Sequence, residues 1–136
     1  MNTLNQKPKS LSITFRGFDI PAEEVVRLAG VIPELFGNQG APKRPGSKTL
    51  LSKSYVIFSK DLLEDSDLAE SFSDFVSELG GIKKISQLKK IVMPELLEFN
   101  FYLPSRTSEI IQDGYLSHEN IEILYKLRAT VGFNHF

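Results

Sequence analysis

The chain has 136 residues, of which 41% are hydrophobic and 24% charged, with a formal net charge of −1 at pH 7. This size and composition predict one globular domain that builds its core without covalent or metal cross-links. The sequence contains no cysteine, which excludes disulfides, thiolate zinc sites and a cysteine nucleophile. It has no apolar run of the length that a signal peptide or a membrane span needs, so we expect a cytoplasmic protein without a membrane partner.

The N-terminal part of the chain predicts a flexible end, a strand and a helix. Residues 1–9 are polar and are expected to be flexible, ahead of a single domain over residues 10–136. The segment SLSITFRG at 10–17 alternates apolar and polar side chains, which is typical of a half-buried strand. Pro21 favours the first position of the following helix, and Gly30 can end that helix in a left-handed conformation.

The middle of the chain predicts two strands and two helices. Residues 31–48 contain three prolines and three glycines and are expected to hold little regular structure, whereas TLLSKSYVIFSK at 49–60 reads as a strand. The segments at 67–81 and 82–92 both have apolar residues at helical spacing. LLEFNFYLP at 96–104 alternates as a strand does, with four apolar side chains predicted to face inward: Leu97, Phe99, Phe101 and Leu103.

The C-terminal part predicts a turn, a helix and a last strand. Asp113-Gly114 marks the turn, Ser117 caps the helix, and the buried stripe of this helix is predicted at Ile121, Leu124 and Leu127. The order β-α-β-α-(α)-β-α-β predicts an α+β fold, with helices packed on one face of a sheet of at least four strands. The core is expected to join these side chains: Phe15, Phe72, Phe75, Phe99, Phe101, Leu124 and Leu127.

Charge is unevenly distributed along the chain. From Leu35 to Lys60 there are five basic residues and no acid, and from Asp61 to Glu78 there are seven acids and no base. This asymmetry favours electrostatic docking. The alternatives for the acidic run are a solvated helix face and a face that pairs with the chain's own basic loop. Four acids at spacings of three, four and four residues are predicted to form one stripe that docks a basic protein: Asp67, Glu70, Asp74 and Glu78.

The segment GNQGAPKRPGSKT at 37–49 has the residue types of a phosphate-binding loop but not their order. Gly40 and Gly46 have five residues between them, where the P-loop pattern has four. Lys48 follows the serine instead of preceding it, and a predicted strand follows where a P-loop needs a helix. Nucleotide binding by this mechanism is therefore excluded. The loop is interpreted as a surface connection, as a docking loop for an acidic partner, or as a site that binds a small anionic ligand through Lys43, Arg44 and Lys48.

The sequence offers no constellation that would carry catalysis. His118 begins the last predicted helix and His135 is close to the end of the chain, and neither has the neighbours of a triad or metal site. We therefore expect no catalytic residues, no metal and no cofactor. Nucleic-acid binding is not expected either, because the basic loop has no interleaved aromatic residue and the acidic half would repel phosphates.

Two segments carry a resemblance to a known family. GFDIPAEEVVRLAGVIPELFGNQG at 17–40 and GYLSHENIEILYKLRATVGFNHF at 114–136 are similar to the opening and closing motifs of the bacterial domain-of-unknown-function family 4279, and the overall layout resembles it from Leu11 to Phe136. The tryptophan often found in the middle strand of that family is absent here, with Tyr55 as its substitute. The resemblance implies a stand-alone bacterial domain and brings no catalytic residues.

These observations predict a non-enzymatic α+β domain that works by binding another protein. The most concrete version is an immunity protein, which neutralises a bacterial toxin by covering its active site. Many toxins that attack nucleic acid are basic, and the predicted acidic stripe would complement such a surface. The alternative is a regulatory module that binds a small anionic ligand near the basic loop at 37–48.

Overall fold

The fold is a five-stranded mixed sheet with four helices packed against it. The computed structural model describes residues 8–104 and 115–135, so the predicted turn at Asp113-Gly114 and residues 1–7 of the predicted flexible segment 1–9 lie outside these ranges. At the end of that segment the prediction was wrong, because Lys9 is buried and its carbonyl accepts a hydrogen bond from the Leu62 amide at 2.7 Å. The strands are β1 (Ser10–Arg16), β2 (Leu35–Gly37), β3 (Tyr55–Asp61), β4 (Leu96–Leu103) and β5 (Thr130–His135). The helices are α1 (Ala22–Ala29), α2 (Leu68–Glu78), α3 (Ile82–Val92) and α4 (His118–Leu127).

The sheet has the strand order β2-β3-β1-β4-β5, with β1 at its centre. β1 pairs antiparallel with both neighbours, so that Ile13 lies opposite Phe58 on one side and Phe99 on the other. β4 and β5 are parallel. A parallel pair needs a crossover connection, and α4 lies within the connection from β4 to β5. This architecture confirms the predicted α+β class and adds one strand, β2, to the predicted order.

The hydrophobic core lies between the helices and one face of the sheet. All seven predicted core residues are buried, and so are the four apolar positions of β4 that were predicted to face inward. β1 is buried on both faces. Ser12 and Thr14, which lie on the face opposite the core, are each only 3% exposed. Its central place between β3 and β4 explains this, since the side chains of both neighbours flank the short polar ones.

The connection at 31–48 holds little regular structure, as predicted: it contains the three-residue strand β2 and one isolated bridge, from Pro42 to Leu50, which closes a short hairpin. Two predicted boundaries were wrong. The second predicted strand begins at Tyr55 instead of Thr49, because residues 49–51 pair locally with the hairpin. Pro21 is the N-cap of α1 and not its first helical residue, with an extended ψ of 141°.

One predicted core position was also wrong. Ile121 of α4 is 56% exposed, whereas its neighbour Asn120 is completely buried. The helix is therefore rotated so that the polar residue turns inward, and Asn120 is accommodated because both polar atoms of its side chain are hydrogen-bonded. The other two residues of the predicted stripe, Leu124 and Leu127, are buried as expected.

A side chain from a distant segment completes the N-terminus of α1. Pro21 has no side-chain acceptor for the first backbone amides, so the cap comes from Asn38, which follows β2. Its Oδ1 accepts a hydrogen bond from the Ala22 amide at 2.7 Å, and its Nδ2 donates to Glu23 Oε1 at 2.9 Å. The second bond holds the pKa of Glu23 below its ordinary value. Asn38 thereby links the segment that follows β2 to α1.

We expect Asn38→Ala to lower the free energy of unfolding by about 1 kcal/mol, the typical contribution of a helix cap. Part of this loss is pH-dependent. Glu23 has a lower pKa in the folded state, so the stability from its hydrogen bond is present above the ordinary glutamate pKa and disappears as pH falls through the folded value. Urea titrations at neutral and acid pH should therefore show a smaller difference between wild type and variant in acid. An equal or larger difference in acid would contradict this assignment.

Candidate protein-docking surface on helix α2

Helix α2 separates its apolar and acidic residues onto different faces. Asp67 begins the helix as its N-cap, with an Oδ1 that accepts from the Ala69 amide at 3.1 Å. The apolar side is buried against the sheet, where the Phe72 ring packs on Phe99 with 5.2 Å between centroids. We name the other side the acidic face, and all four of its predicted members are exposed: Asp67, Glu70, Asp74 and Glu78. The structure thus brings the predicted stripe together on one surface.

The acidic face is only partly neutralised from within the chain. Glu78, at the C-terminal end of α2, accepts a hydrogen bond from Lys60 Nζ of β3 at 2.8 Å. Within residues 8–104 and 115–135, neither Glu70 nor Asp74 has an ion-pair or hydrogen-bond partner on its side chain. Two more acids, Asp61 and Asp65, are exposed in the segment that leads into α2 and extend the negative surface.

This arrangement costs helix stability and favours a cationic partner. Glu70 and Asp74 are like charges four residues apart, as are Asp74 and Glu78, and each such pair costs about 0.2–0.5 kcal/mol in a helix. The last turn of α2 contains no basic residue, which would interact favourably with the negative end of the helix dipole. A basic surface placed against this face would relieve the repulsion.

The basic residues proposed for anion binding lie on a separate hairpin. The amide of Lys43 donates to the Thr49 carbonyl at 2.9 Å, and Leu51 donates to Ala41 at 2.8 Å. We name residues 40–51 the basic hairpin; its charged side chains Lys43, Arg44 and Lys48 are all exposed. In the described ranges none of the three forms an ion pair, so the acidic face does not pair with the chain's own basic loop.

The charged side chains of the basic hairpin point to open solvent. Lys43, Arg44 and Lys48 are all exposed, and a Cβ placed at Gly46 beside them would meet no atom within 4 Å. Small-ligand sites are concave and bury most of the ligand. The exposure of these side chains therefore favours a surface connection over a small-anion site.

Sequence reasoning missed a polar surface on the sheet face opposite the core. The amide of Asn100 donates to Glu98 Oε1 at 2.7 Å and accepts from Asn134 Nδ2 at 3.3 Å. Gly132 gives Asn100 the room it needs, because a Cβ there would lie 2.3 Å from Asn100 Oδ1. The alternating polar residues of β1 and β4 were a usable signal, but strand order decides which of them become neighbours.

The shifted pKa values of the described carboxyl groups are those of groups that stay ionised. Among the described carboxyl groups, those with a shifted pKa are all lowered, Glu24 by its hydrogen bond from Arg27 and Glu122 by its hydrogen bond from Lys126. A lowered pKa keeps a carboxylate ionised, whereas a general acid needs a raised one. His118 is exposed at the start of α4. In the same ranges, no three acidic or histidine side chains are grouped to hold a metal ion.

Over the ranges that the structure covers, every helix is too short or too polar to cross a bilayer. Comparisons with protein-family models, with curated proteins and with solved structures gave no match. The resemblance to family 4279 therefore stays a prediction.

Proposed function

We propose that this chain is a non-enzymatic domain that binds a basic protein through the acidic face of α2. The observation that supports this most directly is the exposure of Glu70 and Asp74 without any partner among the described residues, on a helix that carries no base. Because the apolar side of α2 packs on the sheet, the helix presents these carboxylates along one exposed side. Such a preformed surface attracts a complementary partner over a distance and aligns it on encounter.

The specific form of the proposal is an immunity protein that neutralises a bacterial toxin. A small domain whose acidic face covers a basic, nucleic-acid-attacking active site needs no cofactor and no catalytic residue of its own. The opposite sign of the two surfaces supplies fast association and selectivity. If this form is correct, a gene for a basic toxin should lie immediately upstream, and co-expression of this chain should restore growth to cells that make the toxin.

The decisive variant is the double reversal Glu70→Lys and Asp74→Lys. We expect association with the basic partner, recovered by pull-down from the source bacterium, to slow about tenfold at low salt, with a weaker salt dependence than wild type. Folding stability should stay within about 1 kcal/mol of wild type, because positions 74 and 78 become an opposite-charge pair, whereas positions 70 and 74 keep like charges and the first turn loses its acid. Stopped-flow or surface plasmon resonance kinetics at several salt concentrations measure the first effect, and thermal unfolding the second.

The matched control reverses two charges elsewhere, Lys43→Glu and Arg44→Glu on the basic hairpin. This control should leave the complex nearly intact. If the α2 variant binds as fast as wild type at low salt, the acidic face is a solvated helix surface and the proposal is wrong. If the hairpin variant is the one that loses binding, the recognised ligand is acidic, as the alternative of an anion-binding module predicts.

A further inference from the structure

A second surface, between α1 and α3, has the opposite charge. A groove of about 320 Å³ runs along this pair of helices. Its apolar lining consists of Leu28 of α1 and of Leu88 and Ile91 of α3, and Ile91 is 57% exposed. The remaining lining residues are Gly80, Lys83, Lys84 and Gln87. The groove therefore combines an apolar strip with two cations at one end.

The lysines of this groove are not neutralised by their surroundings. Helix α3 carries four lysines and no acid. Lys89 is engaged, since its Nζ donates to the Leu127 carbonyl at the end of α4. Lys83 and Lys84 have no ion-pair partner within the described ranges. The nearby helix α1 offers none either, because Glu23 is bonded to Asn38 and Glu24 to Arg27.

The first turn of α3 contains residues that lower the stability of the helix. Gly81 is the N-cap and supplies no side-chain acceptor, and the turn contains lysines where acids are favoured by the helix dipole. Packing explains Lys84 in part, because its stem lies over Gly80, where a Cβ would come within 2.5 Å of Cδ. Lys83 has no such contact. A glycine N-cap and first-turn lysines both lower the stability of a helix, and such a combination is typical of a surface selected for binding.

We propose that the α1–α3 groove binds an acidic amphipathic helix of a partner protein. The lining residues of α3 recur at 83, 84, 87, 88 and 91, so the groove follows more than two turns of α3, about 12 Å. A groove of this length can accommodate a helix laid along it. The partner's apolar residues contact Leu28, Leu88 and Ile91, and its carboxylates contact Lys83 and Lys84.

Helix α2 of a second copy does not fit the groove. It would bring the charges, but its apolar side is buried in its own core. The apolar strip of the groove would then remain uncovered. The occupant must therefore present apolar and acidic residues on one accessible helix face. This site and its partner are independent of the acidic face of α2, which is a different surface with the opposite sign.

The test uses a designed peptide of about 16 residues, long enough for four helical turns. The peptide carries leucines along one stripe and glutamates beside them, and it is titrated into ¹⁵N-labelled protein. We expect amide shifts centred on Leu28, Lys83, Gln87 and Ile91. Lys83→Glu should weaken binding about tenfold, since one attraction becomes a repulsion. The same variant should unfold at an equal or higher temperature, because it places an acid in the first turn of α3.

The matched control is Lys90→Glu, which makes the same charge change on an exposed residue of α3 that does not line the groove. This control should change the affinity less than about twofold. The proposal is overturned by any of three results: no shifts at the groove, equal binding of a peptide with lysines in place of its glutamates, or equal weakening by the two variants. Shifts caused by decanoate but not by the peptide would also overturn it, and would assign the groove to a small amphiphile.

Discussion

Phe72→Ala is expected to lower the free energy of unfolding by about 3–5 kcal/mol, the range measured for buried phenylalanines. The Phe72 side chain has no exposed surface. Its ring contacts two rings of β4, with centroids 5.2 Å from Phe99 and 5.9 Å from Phe101. Truncation leaves a cavity between α2 and the sheet that neither rigid neighbour can fill. Denaturant unfolding measures the loss.

The matched control for this prediction is Phe133→Ala in the edge strand β5. Phe133 also contacts Phe101, with stacked rings 5.1 Å apart, but 48% of it is exposed. Its loss should cost about 1 kcal/mol, because only part of the ring is removed from water on folding. If the two variants cost the same, the contact between α2 and β4 is not the centre of the core.

Asn120→Ala is expected to cost about 2–3 kcal/mol, although the removed side chain is polar. Asn120 is completely buried. Its Oδ1 accepts from the Ser117 amide at 3.0 Å, and its Nδ2 donates to Ser73 Oγ of α2, also at 3.0 Å. Removal leaves the Ser117 amide without its partner and opens a small cavity. The bond to Ser73 also links α4 to the helix that carries the acidic face.

Ser73→Ala provides the comparison, since it removes only the bond between the two helices. Its loss should cost about 1–2 kcal/mol, less than the loss of Asn120, because the buried Nδ2 of Asn120 loses this partner while the Ser117 amide keeps its own. A double-mutant cycle over Ser73 and Asn120 isolates the coupling between α2 and α4. An Asn120→Ala variant as stable as Ser73→Ala would show that the buried amide is not a structural link.

The sequence by itself determined the interior of this protein because the signals for it are local. Periodicity assigned the buried face of β4 and α2, since the spacing of apolar residues follows directly from backbone geometry. The end of α1 at Gly30, with a φ of 69°, and the capping of α4 by Ser117 were predicted for the same reason. Each depends on residues within one turn of each other.

Only the tertiary structure decided features that join distant segments. Asn38 caps α1 from sixteen residues away, and Lys60 reaches Glu78 across the gap between β3 and α2. Asn120 occupies the interior in place of Ile121 because its partner Ser73 is forty-seven residues earlier. The acidic stripe was visible in the sequence, but which of its members lack a partner was not. The α1–α3 groove likewise exists only once the two helices are packed side by side, because no local pattern specifies which helices become neighbours.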